Sequence, residues 1–225
     1  MSFDAASLRA IFHSPIYLDG DRPAGGKGEA AYWLPLLALY TGARREELAQ
    51  LRSVDVSEET YLDGHDAERT AWFMKIVHCE EEDLHVKNPG SERVVPIHRD
   101  LVTLGFIDFA REAAAAGQSR LFPGLKFNIY RRCSVKWGEW WGTYLREVCG
   151  VADKRLVFHS FRHTFKTNAR HVGMDDGVSR QIMGHAPRDS AESYGGHTLH
   201  ELVEGMKCYR VPGFKLPPPA IRSVT

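Results

Sequence analysis

The sequence has no excess of charge of either sign, because its 29 Lys and Arg residues balance its 29 Asp and Glu residues. A strongly basic chain would have indicated a nucleic-acid partner, since affinity for nucleic acid comes largely from neutralising phosphates. Basic residues concentrate between Arg120 and Lys136 and between Lys154 and Arg170, whereas acidic residues cluster at 80–83. The composition therefore allows a polarised surface without predicting one.

Paired cysteines, a leader and long apolar runs are also missing. The four cysteines have no CxxC or ladder spacing, which excludes a disulfide framework and predicts buried thiols in a reducing compartment. The longest apolar run, 30–40, is shorter than the ~20 residues that a membrane-spanning helix needs, and it contains Pro35. The N-terminus lacks a basic and hydrophobic leader. We expect a soluble cytoplasmic protein that has no membrane partner.

The hydrophobic periodicity predicts a mainly α fold with one small antiparallel three-stranded sheet, built as a single domain over 1–225. The predicted helices are 5–12, 30–40, 44–51, 101–116, 129–148, 160–171, 175–183 and 198–208. The predicted strands are 54–59, 70–78 and 92–97, with the last hairpin turning at 88–91. A Gly- and Pro-rich loop is expected at 19–28, and an extended or mobile tail at 210–225.

Three short motifs carry the chemistry. They are Thr-Gly-Ala-Arg-Arg-Glu-Glu-Leu at 41–48, His-Ser-Phe-Arg-His-Thr-Phe at 159–165, and Gly-His at 184–185, nine residues before Tyr194. At these residues the chain closely resembles the tyrosine recombinase (phage integrase) family, and the resemblance covers nearly the whole chain. It implies the catalytic-domain fold of that family.

The resemblance implies that Arg44 and Arg162 bind the phosphodiester under attack. Such an anion repels nucleophiles, and its transition state gathers more negative charge on the non-bridging oxygens. Guanidinium groups reduce the repulsion and stabilise the added charge, because they stay protonated and can donate hydrogen bonds to two oxygens at once. Each arginine could instead be a surface residue that forms helix salt bridges, and for Arg44 taken alone that structural role is the more common one. The motif context favours the catalytic role.

The resemblance also assigns the proton transfers and the nucleophile. Tyr194 would attack phosphorus, giving a 3′-phosphotyrosyl bond and a free 5′-hydroxyl without ATP, metal or other cofactor. His159 would assist proton transfer at the tyrosine oxygen, and His185 would bind the phosphate or position the nucleophile. Lys87, before a hairpin turn, would be the general acid on the leaving 5′-oxygen. Tyr209 is a fallback nucleophile whose spacing from His185 does not fit.

Other residues have supporting roles in this interpretation. Glu47 would orient an arginine or histidine, although an ordinary i, i+3 ion pair explains it too. His163 would support the core or the site; with His159 it has zinc-binding i, i+4 spacing, but no third ligand stands at motif spacing. The predicted DNA-binding residues are Lys166, Arg170, Arg131 and Arg132.

The implied partner is double-stranded DNA carrying a recombination site, bound by a homo-oligomer that is a tetramer in the synapse. The helix at 198–208 would either exchange onto a neighbouring protomer or fold back in cis, and the sequence leaves both open. The N-terminal core-binding domain of full recombinases has no counterpart here, so we expect weak DNA binding by this chain alone. The resemblance places the protein in a bacterial or phage-infected cytoplasm, at the nucleoid.

Three alternatives remain open at this point. Type IB topoisomerase-like relaxation of DNA uses the same chemistry. A non-catalytic DNA-binding integrase remnant would lack at least one of the catalytic residues that the resemblance implies, and none of them is evidently missing from the sequence. A metal-dependent nuclease is least favoured, because it would need carboxylates clustered near the histidines.

Overall fold

The structure is a computed structural model that describes residues 1–79, 84, 91–185 and 196–218. Its helices are α1 (Ala5–Phe12), α2 (Pro15–Leu18), α3 (Glu29–Thr41), α4 (Arg45–Ala49), α5 (Arg99–Thr103), α6 (Phe106–Ala115), α7 (Val135–Glu147), α8 (Ser160–His171), α9 (Asp176–Met183) and α10 (Leu199–Cys208). Its strands are β1 (Val56–Leu62), β2 (Glu68–Ile76) and β3 (Arg93–Pro96). The described chain is mainly helical with a three-stranded antiparallel sheet in the order β1–β2–β3, which confirms the predicted class.

Helix α3 forms the centre of the core, as its uninterrupted apolar sequence predicts. All its residues from Ala30 to Thr41 are buried. It ends because Gly42 adopts the left-handed conformation (φ 61°), which costs glycine less than any residue with a Cβ. Helix α8 packs against α3, and its buried apolar stripe contains Phe161, Phe165 and Ala169. The first motif leaves α3 and the second lies on α8, so this packing brings them together.

The sheet matches the prediction except at its ends. Strand β1 begins at Val56 rather than Val54, because residues Ser53–Asp55 form a 3₁₀ turn. The Asp55 carboxylate closes that turn by accepting hydrogen bonds from the Arg52 backbone N–H (2.8 Å) and guanidinium. Of the predicted hairpin turn at 88–91, residues 88–90 lie outside the described residues.

Helix α7 starts later than predicted. Periodicity placed its start at Ile129, but the helix begins at Val135, and residues 128–132 form a turn. The Asn128 side-chain oxygen accepts from the backbone N–H groups of Tyr130 (2.9 Å) and Arg132 (3.0 Å), which offers this segment an alternative to helix. From Trp137 onward the buried residues of the helix are Trp137, Trp141, Tyr144 and Leu145. Val148, where periodicity placed the end of the helix, is its C-cap and is exposed.

The C-terminal helix α10 folds back in cis. Thr198 caps it by accepting from the Glu201 N–H, Leu202 and Met206 enter the main core, and Val203 packs with Tyr61 and Phe73 of the sheet. Beyond it, residues 210–218 have no regular secondary structure, as expected for an extended tail. They nevertheless pack on α1: Phe214 lies 5.6 Å from Phe12 between ring centroids, and Arg9 donates to the Gly213 carbonyl.

The cysteines are all free, but only two of them fit the predicted buried role. Cys133 and Cys149 are buried, Cys79 is half-buried and Cys208 is exposed at the end of α10. Among the described residues, no helix combines the length and apolar character needed to cross a membrane.

Candidate active site

Arg44 stands at the N-terminus of α4, where Glu47 fixes it. The Arg44 backbone N–H donates to Glu47 Oε2 (3.0 Å), and its Nη1 donates to Glu47 Oε1 (2.6 Å). Its Nη2 reaches the Gly184 carbonyl at 3.2 Å, at the end of α9. Because Gly42 ends α3 and Arg44 starts α4, the turn between these helices directs the guanidinium toward α9.

Arg162 enters the same region from the buried face of α8. Its side chain lies between two helix ends, and Nη1 donates to the carbonyls of Gly42 (2.6 Å) and Met183. Nη2 is also buried but has no hydrogen-bond acceptor within the described part of the chain. Burial and the positive charge of Arg44 lower the pKa of Arg162 to about 10. Hydrogen bonds from Nη1 therefore hold the guanidinium in place, whereas Nη2 is buried without a hydrogen-bond acceptor among the described residues.

The two arginines thus converge on one turn. Arg162 donates to the carbonyl of Met183, and Arg44 donates to the carbonyl of the next residue, Gly184. Each guanidinium repels the other, and the buried Glu47 carboxylate offsets part of that repulsion. The sequence-based interpretation required this convergence from residues more than a hundred positions apart.

His185 directly follows that turn and is half-buried. Its backbone N–H donates to the Arg180 carbonyl (2.9 Å), which fixes where the residue leaves α9. Burial, followed by the charge of Arg162 and of neighbouring basic side chains, lowers its pKa to about 4. At neutral pH the imidazole is therefore uncharged, and it can donate one hydrogen bond and accept another.

His159 and His163 lie one helical turn apart on the exposed face of α8, with ring centroids 5.3 Å apart. Burial first, and then the charges of His163, Arg162 and Arg44, lower the pKa of His159. Burial likewise lowers the pKa of His163. Within the described ranges, no three His, Cys, Asp or Glu side chains are grouped in a way that could hold a metal ion.

Arg93 also belongs to this site, although the sequence motifs predicted no role for it. Its side chain and that of Glu47 are each only 2% exposed, and Arg93 Nη2 donates to Glu47 Oε2 at 2.7 Å. Nε donates to the Ile182 carbonyl (2.8 Å) and Nη1 to the Ser91 carbonyl (2.7 Å). Arg93 therefore ties the sheet to α4 and α9. A sequence signal was present, because Arg93 and the buried Val95 are two positions apart on a strand and therefore share its inward face.

Gly184 makes room for Arg93. It has a φ of +70°, and a Cβ at this position would lie 2.3 Å from Arg93 Nη1. Two separate reasons therefore favour glycine at this position of the Gly-His motif. The backbone is left-handed, and the Arg93 guanidinium occupies the space that a Cβ would need.

The predicted DNA-binding residues do not form one group. Lys166 is largely buried and bonds to Asp176 Oδ1 (2.5 Å) and Ser179 Oγ (3.0 Å), joining α8 to α9. Arg170 is exposed at the last turn of α8. Arg131 and Arg132 are exposed in the turn before α7.

Lys87 and Tyr194 lie outside the described residues. The chain leaves the described part after His185 and re-enters it at Gly196, where the His197 N–H donates to Gln181 Oε1 of α9 at 2.8 Å. The fallback nucleophile Tyr209 is excluded by its position. It is buried, its hydroxyl donates to the Leu39 carbonyl (2.7 Å), and burial raises its pKa.

No protein-family model matches the chain, and no curated protein sequence matches it. What the geometry offers by itself is an anion site: two guanidiniums on one turn, a neutral imidazole beside them and a buried carboxylate behind them. Such an arrangement suits a tetrahedral oxyanion and the extra charge that it gathers during substitution.

Proposed function

We propose that the chain is the catalytic domain of a tyrosine-type site-specific DNA recombinase. The observation that carries this proposal is the convergence of Arg44 and Arg162 on the Met183–Gly184 turn, directly before His185. Motifs that are far apart in the sequence meet at one place, and their side chains are those that a phosphodiester needs. The mainly helical fold with its small antiparallel sheet is compatible with this class.

In the proposed reaction the scissile phosphate binds between the two arginines. Each guanidinium can donate two parallel hydrogen bonds to non-bridging oxygens, and the neutral His185 adds a donor. Arg162 is already oriented by two backbone carbonyls before the phosphate arrives. Such fixed donors stabilise the transition state without reorganising during the reaction.

The tyrosine of the third motif supplies the nucleophile. The Tyr194 phenol oxygen forms a bond to phosphorus while the bond from phosphorus to the 5′-oxygen breaks. His159 accepts the phenol proton, and Lys87 protonates the departing 5′-oxygen. Reversal of these steps by another 5′-hydroxyl rejoins the DNA, so the phosphotyrosyl bond conserves the energy for strand exchange.

The test uses a library of nicked duplexes with randomised sequence, so that the recombination site need not be known beforehand. The nick releases a short 5′-hydroxyl strand after cleavage and thereby traps the covalent adduct. We expect wild-type protein in EDTA to form a denaturation-resistant adduct and Tyr194→Phe to form none. Tyr209→Phe is the matched control, and it should retain the adduct. Arg162→Ala should slow adduct formation by about 100-fold or more.

Each other result leads to a different assignment. An adduct that persists in Tyr194→Phe would reassign the nucleophile, and cleavage that EDTA abolishes would indicate a metal-dependent nuclease. Wild-type protein that forms no adduct with any library member would contradict the proposal. Relaxation of supercoiled plasmid lacking the selected sequences would instead favour a type IB topoisomerase-like function.

A further inference from the structure

The turn at residues 128–132, here called the Asn128 turn, exposes two large apolar side chains next to each other. Ile129 is 88% exposed and Tyr130 is 76% exposed. Single exposed apolar residues are common on protein surfaces and need no explanation. Two neighbours at the tip of one turn, both more exposed than any other large hydrophobic of the described chain, indicate a contact with another molecule.

The Asn128 turn is rigidly built. The Asn128 side chain accepts from the N–H groups of Tyr130 and Arg132. The backbone of Asn128 closes the turn by accepting from Arg131 (2.9 Å) and donating to Arg132 (3.0 Å). Because the turn is ordered before any partner arrives, binding through its tip loses little conformational entropy.

The base of the turn is fastened to α4, next to the candidate active site. The Glu46 carboxylate accepts from the backbone N–H groups of Cys133 (2.6 Å) and Ser134 (3.1 Å) and from the Ser134 hydroxyl. Arg45 Nε also donates to Ser134 Oγ (3.0 Å). These two α4 residues directly follow Arg44, so the turn has a fixed position relative to the arginine pair.

The charge of the residues around the Asn128 turn indicates the chemistry of its partner. From residue 120 to residue 138 the sequence contains no Asp or Glu. The exposed cations of this stretch are Lys126, Arg131, Arg132 and Lys136. An apolar tip surrounded by cations complements a polyanion with apolar surfaces between its charges. Duplex DNA has that character, since its phosphates flank stacked bases.

We propose that Ile129 and Tyr130 enter the minor groove of the DNA and contact its base pairs, while Arg131 and Arg132 contact the flanking phosphates. Apolar side chains used in this way wedge between base steps and bend the duplex. This inference rests on the proposed function, because it names how the same DNA is held beside the site of cleavage.

The test separates apolar from ionic contacts by their response to salt. Binding of a mixed-sequence, fluorescein-labelled duplex several helical turns long is measured by anisotropy over a series of salt concentrations, in a Tyr194→Phe background. We expect Ile129→Ala with Tyr130→Ala to weaken binding about tenfold and to leave the salt slope unchanged. Arg131→Gln with Arg132→Gln should instead reduce the slope by about 2. Val54→Ala removes an exposed aliphatic side chain elsewhere and is the control.

A duplex with 2-aminopurine at its base steps provides the second readout. Its fluorescence should rise on binding to the parent, because unstacking relieves quenching, and should not rise with the alanine pair. Alanine variants that bind as tightly as the parent would overturn the proposal, as would a parent that gives no signal with any placement of the probe. A changed sedimentation coefficient of the DNA-free alanine pair, with DNA affinity intact, would identify a protein contact instead. These outcomes are independent of the adduct assay, which tests the recombinase proposal.

Discussion

Glu47 connects the two sides of the arginine cluster. One oxygen accepts from Arg44 and the other from Arg93. Burial raises the pKa of this carboxyl. The charge and hydrogen bonds of Arg93, and then the hydrogen bonds of Arg44, lower the pKa by more than burial raises it, so the net shift is downward. The carboxylate is therefore ionised at neutral pH. Removing Arg93 would leave this buried carboxylate with the Arg44 guanidinium alone, and losing one member of a buried ionic cluster is strongly destabilising.

Arg93→Met should therefore destabilise the protein strongly. We expect a loss of about 3–5 kcal/mol in the free energy of unfolding, measured with urea. Arg99→Met changes an exposed arginine and is the matched control, expected to stay within about 0.5 kcal/mol of wild type. The double variant Arg93→Met with Glu47→Met should lose less stability than the two single variants added together; strictly additive losses would contradict coupling between Arg93 and Glu47.

His185 should make stability depend on pH. Its pKa is about 4 in the folded protein and ~6.5 in the unfolded chain. The unfolded chain thus binds more protons between these values, and stability falls as the pH drops from about 6.5 to about 4. His185→Gln should flatten this decline in urea titrations, whereas His65→Gln, in an exposed turn, is the control. Some slope should remain, because the pKa values of His98, His159 and His163 are lowered as well.

At the scale of elements, the end of α9 organises the site, because it offers consecutive carbonyls to the two arginines. Its geometry depends on Gly184, whose left-handed conformation also lets Arg93 pass. Arg93 cannot easily move aside, since three hydrogen bonds hold its guanidinium.

Gly184→Ala should therefore cost more stability than the backbone conformation alone explains. Gly150 has a similar φ (+67°) and would place its Cβ in open space, so Gly150→Ala should show only the conformational cost of about 1–2 kcal/mol. The clash with Arg93 should make the Gly184→Ala loss larger by about 1–3 kcal/mol, measured by thermal or urea unfolding. Equal losses in the two variants would contradict the proposed role of Arg93 contact.

Local sequence signals predicted most of these elements, because the apolar run of α3 and the periodicity of α8 and α10 correspond to residues that are buried. The predicted start of α7 was wrong, because the Asn128 side chain accepts hydrogen bonds from the backbone that compete with those of a helix. Hydrophobic periodicity contains no information about such hydrogen bonds. Arg93 was missed for a different reason. Its partner Glu47 is 46 residues away in the sequence, and no local pattern reveals which carboxylate an inward-facing strand arginine will meet.

At the scale of the whole molecule, the packing of α10 determines whether the DNA-free protein folds as a monomer. Its apolar face is buried against the sheet and α9 of the same chain. We therefore expect the melting temperature of the DNA-free protein to be independent of protein concentration, measured by calorimetry over a wide range. Exchange of α10 between protomers in solution would make the melting temperature rise with concentration.

The fold of α10 in cis can be tested in the same measurement. Leu202→Ala should lower stability by about 2–5 kcal/mol, because it removes a buried side chain, whereas Glu204→Ala on the exposed face should have little effect. A concentration-dependent melt in Leu202→Ala alone would indicate that the variant, unlike the parent, associates through the loosened helix.

The connection from His185 to Gly196 starts at the end of α9 and is tied back to α9 through Gln181 and His197. The distance between its two anchors is therefore set by one helix, whatever lies between them. Under the proposed function, the interval of nine positions from His185 to Tyr194 must let the phenol reach a phosphate at the arginine pair, so inserting or deleting one residue in it should impair DNA cleavage. The contact between His197 and Gln181 of α9 lies outside that interval, so the melting temperature should stay nearly unchanged.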